Sequence, residues 1–320
     1  MNTAAPPVAP PAARIVGRFA PSPSGPLHFG SLIAAVGSFL QARTQGGQWR
    51  LRIDDLDAPR TRAGAESDIL RTLEAFGFHW DGTIARQSDA ASQARYQAAF
   101  AQLQEMGAVY GCACTRRDLA DAPRARDGAR RYPGTCRAGL PANVPARAFR
   151  LRVQGVVEFD DGVQGRQTET LPEDCGDFII ERADGVFAYQ LAVVLDDAAQ
   201  GVTEVVRGAD LLASTGRQIF LHHLLGLPVP KYAHLPLALD AAGAKLSKQT
   251  LAQPLDTRRA AEQLTAALTF LGHPPPPALS RAPLREVWAW AQQNWSLTHV
   301  PRTGAPAPAW CVQAAEQRAK

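Results

Sequence analysis

The sequence contains no run of about 18 uninterrupted apolar residues, the length a membrane-spanning helix needs. Its opening stretch, MNTAAPPVAPPAAR, lacks both the basic flank and the apolar core of a secretory signal, so residues 1–13 read as a disordered tail. A cytoplasmic protein with no membrane partner is the expectation. Cysteine is scarce. The five cysteines are an odd number for a cytosolic chain, which argues against a disulfide framework. Cys112, Cys114 and Cys136 cluster, while Cys175 and Cys311 stand alone and read as ordinary cysteines. A strong charge is also lacking: the formal net charge of +4 permits an anionic partner without demanding one. No internal repeat is present, and no heptad or apolar patch argues for more than a monomer.

What is present reads as a folded α/β chain. Of its 320 residues, 46% are hydrophobic and 20% charged. ARIVGRFA is a buried strand that ends in a proline-rich turn, and Leu32, Ile33, Val36, Phe39 and Leu40 then fall at helical spacing. QWRLRIDD alternates like a strand, and GAESDILRTLEAFGF and SQARYQAAFAQLQEMG follow as helices. This order predicts a parallel, Rossmann-like sheet whose first half spans residues 14–107. Residues 108–176 carry the cysteine cluster, a basic loop and short strands, and read as an insert. The second half of the sheet domain is expected over residues 177–240. Residues 241–320 are expected to form a lysine-bearing loop and a small helical subdomain.

The turn RFAPSPSGPLHFGS carries chemistry. A strand that ends in a tight turn and feeds a helix presents unpaired N–H groups at the helix start, a natural phosphate site. Pro21, Pro23 and Pro26 stiffen the approach, Gly25 and Gly30 let a ligand reach backbone, and His28 can donate to phosphate oxygens. Far downstream, KLSKQ sets Lys245 and Lys248 around a serine. Such a pair can close over a triphosphate, and preorganised donors of this kind contribute roughly 100- to 1000-fold each in rate. Arg18, just before the turn, and Arg207 in VVRGADLL offer planar forks for carboxylates; the plainer alternatives are an ion pair for Arg18 and a core position for Tyr189. In the insert, Cys112, Cys114 and Cys136 offer three thiolates where zinc prefers four ligands. No histidine completes the set. Tyr132, four residues before Cys136, can supply a phenolate; the alternative is three reduced thiols in an apolar cluster.

These motifs carry a resemblance. PSPSGPLHFGS resembles the HIGH signature of class I aminoacyl-tRNA synthetases, and KLSKQ resembles their KMSKS signature. RFAPSPSG, LRIDDLD and YQLAVVLDDAAQGVTEVVRGADLL resemble the glutamyl branch over about residues 14–255. The resemblance implies that His28, Gly30, Ser31 and Lys248 hold ATP with magnesium, Ser31 standing where the strict signature has a second histidine. His28, Gly30, Lys245 and Lys248 would be the catalytic set. It further implies a glutamate pocket of Arg18, Phe19, Ala20, Pro21 and Ser22 with Asp54, Tyr189 and Arg207. Asp54 replaces the branch's usual glutamate and is one methylene shorter, so either a water fills the gap or neighbouring Asp55 shares the role. The spacing of Cys112, Cys114, Tyr132 and Cys136 matches the branch's structural zinc site of one ion. The chain stops about seventy residues after KLSKQ, which leaves no room for an anticodon-binding domain. In this it resembles the family of glutamyl-Q-tRNA(Asp) synthetases, which implies L-glutamate and ATP as substrates. Glutamate would be activated as its adenylate without tRNA, then transferred to the cyclopentenediol of queuosine in the anticodon loop of tRNA(Asp). The alternatives are a compact enzyme that charges the 3′ end of tRNA(Glu), and a non-catalytic RNA- or amino-acid-binding paralogue. The basic loop PRARDGARR would lie along RNA phosphate or be merely solvated.

Overall fold

A computed structural model of the chain describes residues 14–240, 242–246 and 252–311. The expected site residue Lys248 lies outside them. The first half runs β1 (Val16–Phe19), α1 (Phe29–Arg43), β2 (Gln48–Ile53), α2 (Ala65–Ala75), β3 (Ala85–Arg86) and α3 (Ala90–Glu105). The middle of the chain holds β4 (Val109–Cys112), β5 (Ala148–Leu151), β6 (Val156–Asp161), β7 (Gly165–Thr170), α4 (Leu171–Asp174) and β8 (Phe178–Glu181). Then come α5 (Tyr189–Ala199), β9 (Glu204–Gly208), α6 (Thr215–Leu224), β10 (Lys231–Leu235) and β11 (Ala238–Leu239). The chain closes with α7 (Ala260–Phe270), α8 (Leu284–Asn294) and β12 (Ala305–Pro306), the last paired with β11.

β1 pairs in parallel with β2, and β2 with β3. β10 pairs in parallel with both β9 and β6, and β7 adds an antiparallel edge. The two part-sheets meet where β1 runs beside β9: the Thr203 N–H donates to the Val16 carbonyl at 2.9 Å, and the Val16 N–H to Thr203 Oγ1 at 2.9 Å. Strand order reverses there, the place where open α/β sheets bind ligands. Helix α1 covers the seam, packing on β1, β2, β9 and β10. It buries Leu32, Ile33, Val36, Phe39 and Leu40, the positions its spacing predicts. Gly37 permits the close approach, since a Cβ there would sit 2.6 Å from Leu235 Cδ1.

The strands group differently from the expected boundaries. β6 and β7, inside the presumed 108–176 insert, belong to the main sheet, whereas β8, beyond it, pairs with β5 in the antiparallel sheet β4-β5-β8. β6 alternates exposed residues with buried or half-buried ones, and edge strand β7 mostly alternates exposed with half-buried ones, so in sequence they look like parts of a small independent sheet. Among the described residues no helix is long and apolar enough to cross a membrane.

Helices α7 and α8 share one core with α1 and β2. The Trp288 ring lies 4.9 Å from Phe39 and 5.0 Å from Phe78, and its Nε1 donates to the Phe76 carbonyl at 2.9 Å. Trp288→Ala is expected to cost about 3–5 kcal/mol and to lower the unfolding midpoint of the whole first half in denaturant melts. A separate early transition of the C-terminal helices alone would contradict this shared core.

Candidate active site

The turn after β1 is fixed by its backbone. Asp54 N–H donates to the Pro21 carbonyl at 3.0 Å and Arg62 N–H to that of Pro23 at 2.9 Å, so the turn is stitched to the segment after β2. Gly25 takes φ 137°, where a side chain would be strained. His28 caps α1: its Nδ1 accepts from Gly30 N–H at 3.1 Å, which assigns the neutral ring's proton to Nε2. A Cβ on Gly30 would sit 3.0 Å from His28 Cε1, a tight contact that would press on the histidine's seat.

A cleft of about 920 Å³ opens over this helix start. Pro21, Ser22, His28, Gly30 and Ser31 line one wall; Gly208, Asp210 and Lys245 line the other. Arg60 and Arg62, which the sequence reading passed over, also face it. Lys245 Nζ is 2.5 Å from Asp210 Oδ2, which ties the lysine-bearing segment to the end of β9. Phe19 and Gly208 line the cleft, and Arg18 and Arg207 each sit one residue back along β1 and β9.

Arg18 and Arg207 are both buried, and each is held by a different polar set. Arg18 Nε donates to both Asp197 oxygens at 3.3 Å, and its Nη1 reaches the Val206 carbonyl at 3.5 Å across the seam. Asp197 also accepts from Arg52 Nη1 at 2.6 Å, and Arg52 Nε donates to Asp54 Oδ1 at 2.7 Å. Burial alone would push the Asp197 carboxyl up, but Arg18 and Arg52 together hold it below the usual range. Asp54 shows the opposite balance: burial lifts it to about 6 against the pull of Arg52. Asp55, the residue that could share the role of Asp54, is engaged elsewhere, accepting from Ser88 N–H at 2.9 Å and Ser88 Oγ at 2.5 Å.

On the other side of the seam, Arg207 Nη1 donates to Tyr189 Oη at 3.4 Å, bringing those two expected pocket residues together. Asp197, Arg52, His234 and Asp161 were not expected from sequence. The adjacent pair Asp196–Asp197 at the end of an apolar helical run was the one visible signal for the first of them.

The cysteine cluster forms. The Cys112, Cys114 and Cys136 sulfurs all lie within 4.8 Å of one another. Tyr132 Oη lies 3.5 Å from Cys112 Sγ and 3.7 Å from Cys114 Sγ, and the two sulfurs of Cys114 and Cys136 are 3.6 Å apart. Tetrahedral zinc with bonds near 2.3 Å sets its sulfurs about 3.8 Å apart, so this donor set fits the ion. Burial opposes the Cys136 thiolate, but hydrogen bonding, led by Tyr132, draws its thiol down to about 7. Arg150 adds a buried cation, with Nε 3.3 Å from Cys112 Sγ and its guanidinium 3.8 Å from the Tyr132 ring centre. The basic loop before it is a folded lobe: Arg124, Arg126, Arg130 and Arg131 each donate to a backbone carbonyl, and Asp127 pairs with Arg217 on α6 at 2.5 Å. Metal analysis of the purified protein is expected to find one zinc per chain, and Cys136→Ser is expected to lose it with a lower melting temperature. Full zinc retention in that variant would rule out this donor set.

Residues 14–271 match the family described as tRNA synthetases class I (E and Q), catalytic domain. The chain is 62% identical over 287 residues to the glutamyl-Q tRNA(Asp) synthetase of Aromatoleum aromaticum, covering 90% of each. It is 57% identical over 289 residues to that of Dechloromonas aromatica, covering 89% of this chain and 95% of the other. A crystal structure of a glutamate tRNA ligase from Elizabethkingia meningosepticum, in complex with its amino acid, shares the fold with a TM-score of 0.75 at 24% identity. That match covers 92% of this chain and 67% of the ligase. A parallel sheet with a cleft at its switch point, a histidine-capped helix start and this degree of identity agree: the chain belongs to the class I tRNA synthetases of the glutamyl and glutaminyl branch, among the glutamyl-Q tRNA(Asp) synthetases.

Proposed function

We propose that the chain joins L-glutamate to tRNA, activating it with ATP as glutamyl-adenylate without RNA and then transferring it to the queuosine cyclopentenediol of tRNA(Asp). The names of the relatives supply the substrates. The observation that carries the reading is the placement of two buried arginines, Arg18 and Arg207, one on each strand at the seam beside the cleft. A ligand with two carboxylates suits two such forks, and the Asp54 carboxylate, held by Arg52 at the end of β2, suits an ammonium. Phe19, Ala20, Pro21, Ser22 and Tyr189 complete the pocket. ATP would lie with its phosphates toward the α1 start, against His28, Gly30 and Ser31, with Lys245 on the opposite wall; Lys248, three residues on in sequence, would join them. Magnesium, arriving with ATP, would offset phosphate charge. Zinc on Cys112, Cys114, Tyr132 and Cys136 would be structural, stabilising a lobe too small to hold itself.

In the first step a glutamate α-carboxylate oxygen attacks the α-phosphorus of ATP. The bond to the β-bridging oxygen breaks and pyrophosphate leaves. In the second step a cyclopentenediol hydroxyl attacks the mixed-anhydride carbonyl and AMP leaves. The chain contributes alignment and donors aimed at developing charge, which suffice for large accelerations in a preorganised cleft. The deciding experiment is transfer of labelled glutamate to tRNA(Asp) with queuosine, tRNA(Asp) without it, and tRNA(Glu). Label on the first alone is expected; label on tRNA(Glu) would instead make the chain a compact charging enzyme.

The Asp54 environment adds a pH signature. Only the carboxylate form binds an ammonium, so glutamate affinity is full above about pH 6 and falls as the pH drops through that value. Calorimetric titrations should show the dissociation constant rising about tenfold per pH unit below that point, with the dependence absent in Asp54→Asn. An affinity that stays flat across this window would remove Asp54 from the pocket.

A further inference from the structure

Asp161, His234 and Arg207 lie on the three neighbouring strands β6, β10 and β9, and their side chains form one chain of hydrogen bonds across the sheet. Asp161 Oδ1 accepts from the N–H groups of Val163 at 3.0 Å, Gln164 at 2.8 Å and His234 at 3.0 Å, so the carboxylate cannot turn. Its Oδ2 is 2.5 Å from His234 Nδ1, and His234 Nε2 is 3.0 Å from Arg207 Nε. Arg207 Nε can only donate, so the imidazole must accept at Nε2 and carry its proton at Nδ1. His234 is completely buried, and burial together with Arg207 keeps its pKa below the ordinary imidazole value despite Asp161. The relay is a carboxylate and a guanidinium joined through a neutral ring.

The guanidinium is held on its inner edges. Nη2 donates to Thr215 Oγ1 at 3.0 Å and to the Leu211 carbonyl at 3.4 Å, while Nη1 makes the long 3.4 Å contact to Tyr189 Oη. Among the described residues, Nη1 therefore keeps a second hydrogen for a ligand. Rotation of the fork about Nε would cost the His234 bond and the Thr215 bond together.

We infer that His234, backed by Asp161 and aided by Thr215, is a positioning residue that aims Arg207 at a carboxylate of the bound amino acid. This rests on the glutamate pocket proposed above. In the same arrangement, a bound carboxylate would meet an arginine already desolvated and oriented, so little ordering remains to be done on binding.

ATP–pyrophosphate exchange by the full chain tests this, with glutamate and ATP varied in turn. His234→Asn keeps a donor for Asp161 but removes the acceptor for Arg207 Nε; the His234→Gln carboxamide can reach that nitrogen. Loss of a hydrogen bond to a charged group predicts a roughly tenfold to hundredfold higher KM for glutamate in His234→Asn, with the KM for ATP within about twofold of the parent. His234→Gln should recover most of this loss. Thr215→Val, close to isosteric, should move the glutamate KM the same way and carries the test should the Asn variant fail to fold. A parental glutamate KM in these variants, or an equal rise in both KM values, would overturn the inference. Arg207→Ala separates the two levels. If it too leaves the glutamate KM unchanged, the pocket itself is wrong; if it alone raises it, only the relay falls.

Discussion

The structure around the cleft depends on one carboxylate shared by two arginines. Asp197, near the end of α5, accepts from Arg18 on β1 and Arg52 on β2. Arg52 in turn holds Asp54 and lies 3.8 Å from Asp196, which also pairs with Arg95 and accepts from Tyr96 Oη at 2.6 Å. Burying such charges is expensive, and the cost is bearable only because each is paired and hydrogen-bonded. Removing a single partner from a buried pair typically costs about 3–5 kcal/mol, because an uncompensated charge remains. Losing Asp197 would strip Arg18 of its carboxylate partner, whereas Arg52 would keep Asp54.

This constraint explains why the seam can be a site. At β1 and β9 the parallel sheet is stitched by few backbone bonds, and a gap of that kind would ordinarily loosen. Here α1 seals one face with apolar side chains, and the Asp197 pairs tie α5 to the other side of the seam. The strand ends are thus held in place where Phe19 and Gly208 line the cleft. Arg207 is fixed by a separate set on β10 and β6, so the two forks are aimed independently.

Much of this was legible where the backbone dictates the outcome. RFAPSPSGPLHFG could form little except a stiff turn feeding a helix, and α1 begins inside it at Phe29. The Cys-x-Cys spacing with Tyr132 and Cys136 found its cluster because those residues are close in sequence. What escaped were pairings made across the fold. Asp197 meets Arg18 over 179 residues, and nothing near either one shows the partner. His234 sat in an ordinary strand pattern, and its role exists only because β6 and β10 are neighbours. The same blindness placed β6 and β7 in the insert: strand partners are set by topology, which the local pattern does not encode. Arg18, read as a fork for a substrate, proves to be half spent on the protein's own carboxylate.

The most direct measurement is glutamate-dependent ATP–pyrophosphate exchange, without RNA, by Asp197→Asn compared with the parent. If Asp197 holds the glutamate-side arginine in place, the parent will exchange and the variant will need far more glutamate while its KM for ATP stays near the parent's. Exchange by the variant with the parent's glutamate dependence would mean that the shared carboxylate does not organise the site, and the account of the seam would fail.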